Sequence, residues 1–279
     1  DPETIEAFLD HLDEKYGGPN AFLKSAGLSE EAFAALREAM VEPFDADGHT
    51  VTPMRRLPLK SAYNFRDLGG YPAKGGATKF RRLWRSDFLG LLPQEDILAI
   101  KAAGVRTVID LRSPDELTRI QSDFSDVEGV DYVNAPLLTM QLKSEFTPGD
   151  SYEKSERELF YVTMPQKAKG NISTAVTAVV KALDRGGVVF FCAAGKDRTG
   201  ILAALLLAAC GVPAADIAAD YEVSATLLAP KCAALPEGSP LIPKHPYQSA
   251  AETMEDFLAR IGDVREYLIG AGVTSETLD

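Results

Sequence analysis

Cys192 and Arg198 enclose the five residues Ala193-Ala194-Gly195-Lys196-Asp197 and are followed by Thr199-Gly200. Ahead of them runs Gly186-Gly187-Val188-Val189-Phe190-Phe191, and behind them the apolar run Ile201 to Ala209. The pattern predicts a buried strand, a tight loop of small residues, and a helix whose first turn is Arg198-Thr199-Gly200. In such a loop, backbone N–H groups turn inward around a tetrahedral oxyanion, and the helix N-terminus adds partial positive charge beneath it. A thiol placed there is favoured as thiolate, the nucleophilic form. A guanidinium opposite it offers a bidentate fork to two phosphate oxygens. The chemistry implied is phosphoryl transfer to sulfur, through a phosphocysteine that water later hydrolyses.

Each neighbour has a part in that scheme. Ala193 and Ala194 are small enough not to crowd an incoming phosphate, Gly195 supplies a backbone angle other residues resist, and Lys196 adds a second positive charge at the mouth. Arg198 grips the equatorial oxygens most strongly in the transition state. Thr199 is placed to donate its hydroxyl to the cysteine sulfur, or to cap the helix. The leaving group needs a proton from a carboxylic acid. Asp87 and Asp110 are candidates, although each also reads as a structural hydrogen-bond acceptor, and Arg66 and Arg112 read as braces for the loop or substrate contacts. Two other readings remain beside catalysis: a buried structural cysteine, and a phosphate cradle without turnover that sequesters phosphorylated partners.

The form Cys-Ala-Ala-Gly-Lys-Asp-Arg-Thr-Gly resembles the Cys-x5-Arg-Ser/Thr signature of cysteine-dependent phosphatases. The version here is similar to that of the bacterial tyrosine/serine phosphatase family with atypical lipid-phosphatase activity. Further segments agree in the family's order: Asn64-Phe65-Arg66-Asp67-Leu68-Gly69-Gly70, Leu83-Trp84-Arg85-Ser86-Asp87, Val108-Ile109-Asp110-Leu111-Arg112-Ser113, and Ala219-Asp220-Tyr221. The resemblance spans residues 55–279. It implies a tyrosine-phosphatase-like α/β fold and hydrolysis of phosphotyrosine, extending to phosphoserine, phosphothreonine or phosphoinositides. It also implies Asp197 as the general acid, by position in the motif. The chain departs from the family at Phe191, where a histidine is usual.

Composition narrows the alternatives. With 279 residues, 46% of them hydrophobic, and a net charge of −12, the chain can bury a full core and lacks the basic footprint of a nucleic-acid binder. Charge is uneven: residues 1–48 hold 12 acidic and 3 basic residues, net −9, whereas residues 54–85 hold 9 basic and 1 acidic, net +8. The second stretch reads as a funnel for anionic substrates or as a solvated basic face. Three cysteines, at 192, 210 and 232, make no disulfide framework. His11, His49 and His245 are scattered without metal-ligand spacing, so no metal or cofactor is expected. The longest apolar run is too short to span a bilayer, and a catalytic thiolate suits a reducing, cytoplasmic compartment; a chain that opens at Asp1 leaves secretion open.

The elements that must position these residues follow from periodicity. A central, mostly parallel sheet flanked by helices is expected, with additional helices at both termini. Strands are predicted at Leu83–Arg85, Val105–Leu111, Tyr132–Val133 and Val188–Phe191, and helices from Pro93 to Ala103, across Ile172–Leu183, and from Ala214 to Leu228. Residues 140–169 read as a mobile excursion, a lid or substrate loop. Two domains are expected: a helical extension at 1–48 and a phosphatase domain at 55–279. The extension repeats the other end of the chain, with Pro2–Leu9 matching Ala251–Leu258 and Ala21–Leu28 matching Glu266–Val273. Its apolar stripe, Ile5, Phe8, Leu9 and Leu12, is expected to dock on the phosphatase domain or on a second subunit, which would give a homodimer through terminal helices.

Overall fold

The computed structural model describes residues 10–18, 21, 24–25, 29, 55–139, 154–233 and 249–278, with the backbone alone at 154–159 and 232. Two compact units divide the chain, Asp1–Pro53 and Met54–Asp279. In the first, residues 10–16 are helical, with Leu12 buried and His11 exposed. Ile5, Phe8 and Leu9 lie outside the described residues, as do most of the two repeated segments, the excursion from 140 to 153, His49 and His245.

The second unit is built on a five-stranded sheet. Its strands are β1 (Arg66–Asp67), β4 (Leu83–Ser86), β5 (Val105–Asp110), β6 (Asp131–Asn134) and β7 (Gly187–Phe191), in the spatial order β1-β4-β7-β5-β6. β7 pairs in parallel with β4 and β5, and β5 with β6, while β1 runs antiparallel at one edge, opposing Arg66 to Arg85. A small hairpin joins β2 (Pro72–Ala73) to β3 (Gly76–Ala77). β7 is central because all five of its residues are buried, the unbroken apolar run that a strand covered on both faces needs. Its period of two divides the interior. Val188 and Phe190 enter one core, and Val189 and Phe191 enter the other.

Helices α1 (Gln94–Ala102) and α2 (Pro114–Arg119) precede β6, and α3 (Lys154–Lys167) and α4 (Lys169–Leu183) lead into β7. After β7 come α5 (Asp197–Ala209), α6 (Ala214–Ala233), α7 (Ala251–Ile261), α8 (Val264–Gly270) and the short α9 (Ser275–Leu278). α1 sends Ile97 and Ile100 into the core that holds Val189 and Phe191. On the opposite side, α5 is buried almost all round, so its apolar run Ile201–Leu205 has no solvent face to spare. α7 buries Met254, Phe257 and Leu258 at helical spacing against α3 and α6; α8, capped by Asp263 accepting from the Glu266 N–H at 2.9 Å, buries Val264 and Leu268 against α5.

The α/β architecture is the expected one, and the expected strands are all present, Leu83–Ser86 running one residue further than predicted. The reading of 140–169 as a single excursion is corrected: 154–167 and the residues from 169 onward are helical, and Tyr161, Met164 and Ala168 are buried in the main core. Pro148, Gly149 and the run of charges Lys154, Glu156, Arg157 and Glu158 concealed the helix in the sequence. The net-positive stretch is not simply a surface either, because Arg66 and Arg85 are buried. Replacing Phe257 with Ala should cost about 3–5 kcal/mol, the usual effect of truncating a buried aromatic ring. Chemical denaturation followed by circular dichroism would measure it, and would show that the C-terminal helices belong to the core rather than to an appendage.

Candidate active site

β7 ends at Phe191, and Cys192, 3% exposed, opens the loop that closes at Asp197, the first residue of α5. The loop can be that tight because Gly195 adopts φ +65°; a Cβ there would also stand 2.2 Å from the carbonyl oxygen of Ser86, at the end of β4. This is the one place in the site where glycine is required twice over.

Every carbonyl from 193 to 196 is held from outside the loop. Phe88 N–H donates to Ala193 O at 3.1 Å, and Asn64 Nδ2 donates to Ala194 O at 3.1 Å and to Gly195 O at 3.0 Å. Arg85 Nη2 donates to Gly195 O at 2.7 Å, and the Gly200 N–H takes Lys196 O at 2.8 Å. In a planar trans peptide the next N–H points the opposite way from the C=O. Outward carbonyls at 193–196 therefore aim the N–H groups of Ala194, Gly195, Lys196 and Asp197 inward, which is the arrangement an oxyanion needs. Asn64 cannot be turned over: Arg66 Nη1, which can only donate, sits 2.5 Å from its Oδ1 and leaves the NH2 end for the loop.

Behind this shell lies a buried ion cluster. Asp220 of α6 accepts from Arg66 Nε at 2.8 Å, from Arg85 Nη1 at 2.5 Å and from the Tyr71 hydroxyl at 3.0 Å. Arg66 Nη2 also donates to Asp220 O at 2.7 Å and to Ser224 Oγ at 3.0 Å. Burial alone would raise the Asp220 carboxyl pKa, but the charges of Arg66 and Arg85 and their hydrogen bonds hold it well below the usual range.

Arg198 is aimed by Glu116 of α2. Its Nη1 and Nη2 donate to Glu116 Oε2 and Oε1 at 2.6 and 3.0 Å, an end-on pairing that leaves three of the five guanidinium N–H groups for a phosphate. The same carboxylate completes a capping box on α2, accepting from Ser113 N–H at 3.0 Å and Ser113 Oγ at 2.7 Å. Burial pushes the Glu116 carboxyl up, yet its bonds to Arg198 and the arginine's charge prevail and bring it down to about 2. Burial acts against Arg198 as well, and the charge on Cys192 with the bonds to Glu116 raises it above its ordinary value. Glu116 was not among the residues singled out from sequence; Ser113-Pro114-Asp115-Glu116, a capping-box pattern, is the signal that was there.

Asp197 accepts from the Tyr161 hydroxyl at 2.8 Å and pairs with Lys196 Nζ at 3.2 Å, both through Oδ1, so Oδ2 is the oxygen left for a substrate proton. Tyr161 and Tyr221 hydroxyls lie 2.9 Å apart, and burial followed by the charge of Asp197 lifts the Tyr161 phenol well above its ordinary value. Lys196 is nearly buried beside Asp197 rather than held out at a mouth. Thr199 is fully buried, and its Oγ1 has no hydrogen-bond partner among the described residues.

The alternative acids stand elsewhere in the network. Asp87 is fully buried, accepting from the Asn64 N–H at 2.9 Å and from Lys231 Nζ at 2.7 Å. Asp110 is paired with Arg112 at 2.7 Å and accepts from the Tyr132 hydroxyl at 2.8 Å. Both are structural acceptors. The guanidiniums of Arg66 and Arg112 are buried and committed to protein partners, Arg112 also lying 4.3 Å from the centre of the Phe88 ring. Phe191, with no exposed surface, packs its ring 6.2 Å from that of Phe88.

A sequence model of the tyrosine phosphatase family matches residues 1–42 and 57–279. A Cupriavidus necator protein is 33% identical over 178 residues, a stretch covering 59% of this chain and 61% of that protein. A tyrosine-protein phosphatase of Nostoc commune is 35% identical over 217 residues, covering 72% of this chain and 69% of its own length. The triple specificity protein phosphatase PtpB of Mycobacterium tuberculosis is 30% identical over 195 residues, covering 60% and 68%. The chain thus spans between about three fifths and two thirds of the length of these relatives.

Glu116→Gln keeps the shape of the α2 cap but removes the anion that orients Arg198. If Arg198 acts in catalysis, turnover should fall about 10- to 100-fold, since misplacing such a group by about 1 Å costs that much. The pair also contributes to acid stability. A carboxyl with its folded pKa at about 2, against 4.5 ordinarily, stabilises the fold above pH 4.5 and loses that contribution as pH falls toward 2. Melting curves of the parent and of Glu116→Gln should therefore converge over that interval; a gap independent of pH would speak against the ion pair.

Proposed function

The chain belongs to the tyrosine phosphatase family, and from that premise we propose that it hydrolyses phosphomonoesters through a phosphocysteine on Cys192, with phosphotyrosine as its main substrate. The observation that carries this reading is the loop with all its carbonyls held outward, beside a cysteine and an arginine aimed by a carboxylate.

In the first step Cys192 Sγ, as thiolate, attacks phosphorus in line, forming the S–P bond as the P–O bond to the leaving group breaks. Asp197 Oδ2 gives its proton to the departing oxygen, while Tyr161 and Lys196 hold the other oxygen in place. Inward N–H groups of 194–197 and the remaining donors of Arg198 take the equatorial oxygens, where charge builds in the transition state. In the second step a water attacks phosphorus and loses its proton to Asp197. The S–P bond breaks, and its electron pair returns to sulfur. The partnerless Thr199 hydroxyl is suited to donate to that sulfur as it leaves. None of these steps requires a metal or organic cofactor.

A broader range, reaching phosphoserine, phosphothreonine or phosphoinositides, rests on Lys196 beside the cradle and on the triple specificity of the Mycobacterium tuberculosis relative. The competing reading, a cradle that binds phosphorylated partners without turnover, predicts no burst of phenol from a chromogenic aryl phosphate and no trapped phosphocysteine. Among the described residues no helix is long and apolar enough to cross a membrane.

Cys192→Ser should abolish turnover and still bind tungstate, because the cradle is made of backbone N–H groups and Arg198. Activity retained in that variant would falsify the mechanism. Arg198→Lys should lose at least about 100-fold in kcat, since a point charge does not replace the fork. For the N-terminal unit, which the family model also matches, we propose docking by the stripe of Ile5, Phe8, Leu9 and Leu12 on the phosphatase domain or on a second subunit. Deleting residues 1–48 should either halve the mass seen by light scattering or lower the melting temperature without a change of mass; an equally stable monomer from a monomeric parent would end the idea.

A further inference from the structure

Four carboxylates near the loop each form an ion pair with a cation of their own among the described residues. Lys231 serves Asp87, Arg112 serves Asp110, Arg198 serves Glu116 and Lys196 serves Asp197. Asp220 is shared by two arginines, Arg66 and Arg85, and the side chains of all three are at most 6% exposed. One negative charge does not neutralise two guanidiniums, so a surplus positive charge is buried behind the loop. The strain shows on Arg66, which burial, and next the charge of Arg85, bring down to about 10 despite Asp220. Burying an unmatched charge is costly unless an anion answers it nearby.

Arg85 is the member of the cluster that reaches the loop. Its Nη2 donates to Gly195 O at 2.7 Å and lies 3.4 Å from Lys196 O, while its Nε has no partner among the described residues. The two peptides it holds by their oxygens present the N–H groups of Lys196 and Asp197 on the far side, inside the cradle. The guanidinium charge and these peptide dipoles thus act in the same sense on anything bound there.

We propose that Arg85 is a positioning residue for the phosphate-binding loop and that the surplus positive charge it shares with Arg66 around Asp220 is answered by the phosphoryl anion in the cradle. The inference rests on the proposed reading of the loop as a phosphate site. It predicts that anion binding, and not only folding, depends on a residue that never touches the anion.

Arg85→Met is a tolerable change on structural grounds: Asp220 keeps Arg66, now in balance, and Gly195 O keeps Asn64. On the full chain, titration calorimetry with tungstate should show binding weakened roughly tenfold or more, the effect expected of one partly screened charge acting across a few ångströms of protein. Arg85→Lys retains the charge and should recover most of that loss, and both variants should melt within a few degrees of the parent. If Arg85→Met fails to fold, Arg85→Gln carries the test, because it can still donate to Gly195 O without charge. A folded Met or Gln variant that binds tungstate as tightly as the parent overturns the proposal, and so does a Lys variant as weak as the uncharged one. A parent that does not bind tungstate, or a Cys192→Ser protein that still turns over, would instead sink the underlying phosphatase reading.

Discussion

A buried carboxylate is costly unless hydrogen bonds or opposite charge answer it, and Asp220 of α6 is answered from two strands at once. Arg66 comes from β1, at the sheet edge, and Arg85 from its neighbour β4, and both meet the helix that carries Asp220. Removing Asp220 would leave two buried guanidiniums unmatched, the kind of change that costs about 3–5 kcal/mol or more. Removing one arginine would not, because the other remains. That asymmetry makes Asp220 the fixed point of the site and Arg85 the adjustable one.

What the cluster holds is the direction of peptide groups. A loop that binds an anion with its N–H groups must put its carbonyls somewhere, and here each has a donor behind it: Phe88, Asn64, Arg85 and the Gly200 N–H. On the proposed reading the cradle is therefore shaped before any ligand arrives, and no reorganisation is needed when charge develops. Arg198 is treated in the same way. Glu116 takes two of its donors end-on and leaves the rest pointed, at the modest structural expense of a helix cap that α2 needs in any case.

Tyr161 illustrates how far the site draws its parts. It comes from α3, more than thirty residues before Asp197, and meets both Asp197 and Tyr221 in the interior between α3, α5 and α6. Its ring stacks edge-on against Tyr221 and Phe257, so helix α7, near the C-terminal end, helps to hold a group that touches the candidate acid. Stability of the helical layer and geometry of the site are in this sense coupled.

Periodicity and local chemistry by themselves determined the strand, loop and helix around Cys192, the candidate thiol and arginine, and the parallel sheet; the family was implied by the resemblance of the motifs and shown by the match of the family model. Those features are encoded within a few residues: an unbroken apolar run for β7, small residues and a glycine for the loop, helical spacing of Ile172, Val176 and Val179 for α4. Asn64, Arg85 and Asp220 were visible only as parts of motifs, without roles, and Arg66 only as a brace or a substrate contact. Only the tertiary structure decided that they form one cluster, that Asp87 and Asp110 are acceptors already engaged, and that Glu116 aims Arg198. The reason is physical. A buried charge is defined by what stands opposite it, and Arg85 and Asp220 are brought together from 135 positions apart by the packing of α6 on the sheet, which no local pattern records.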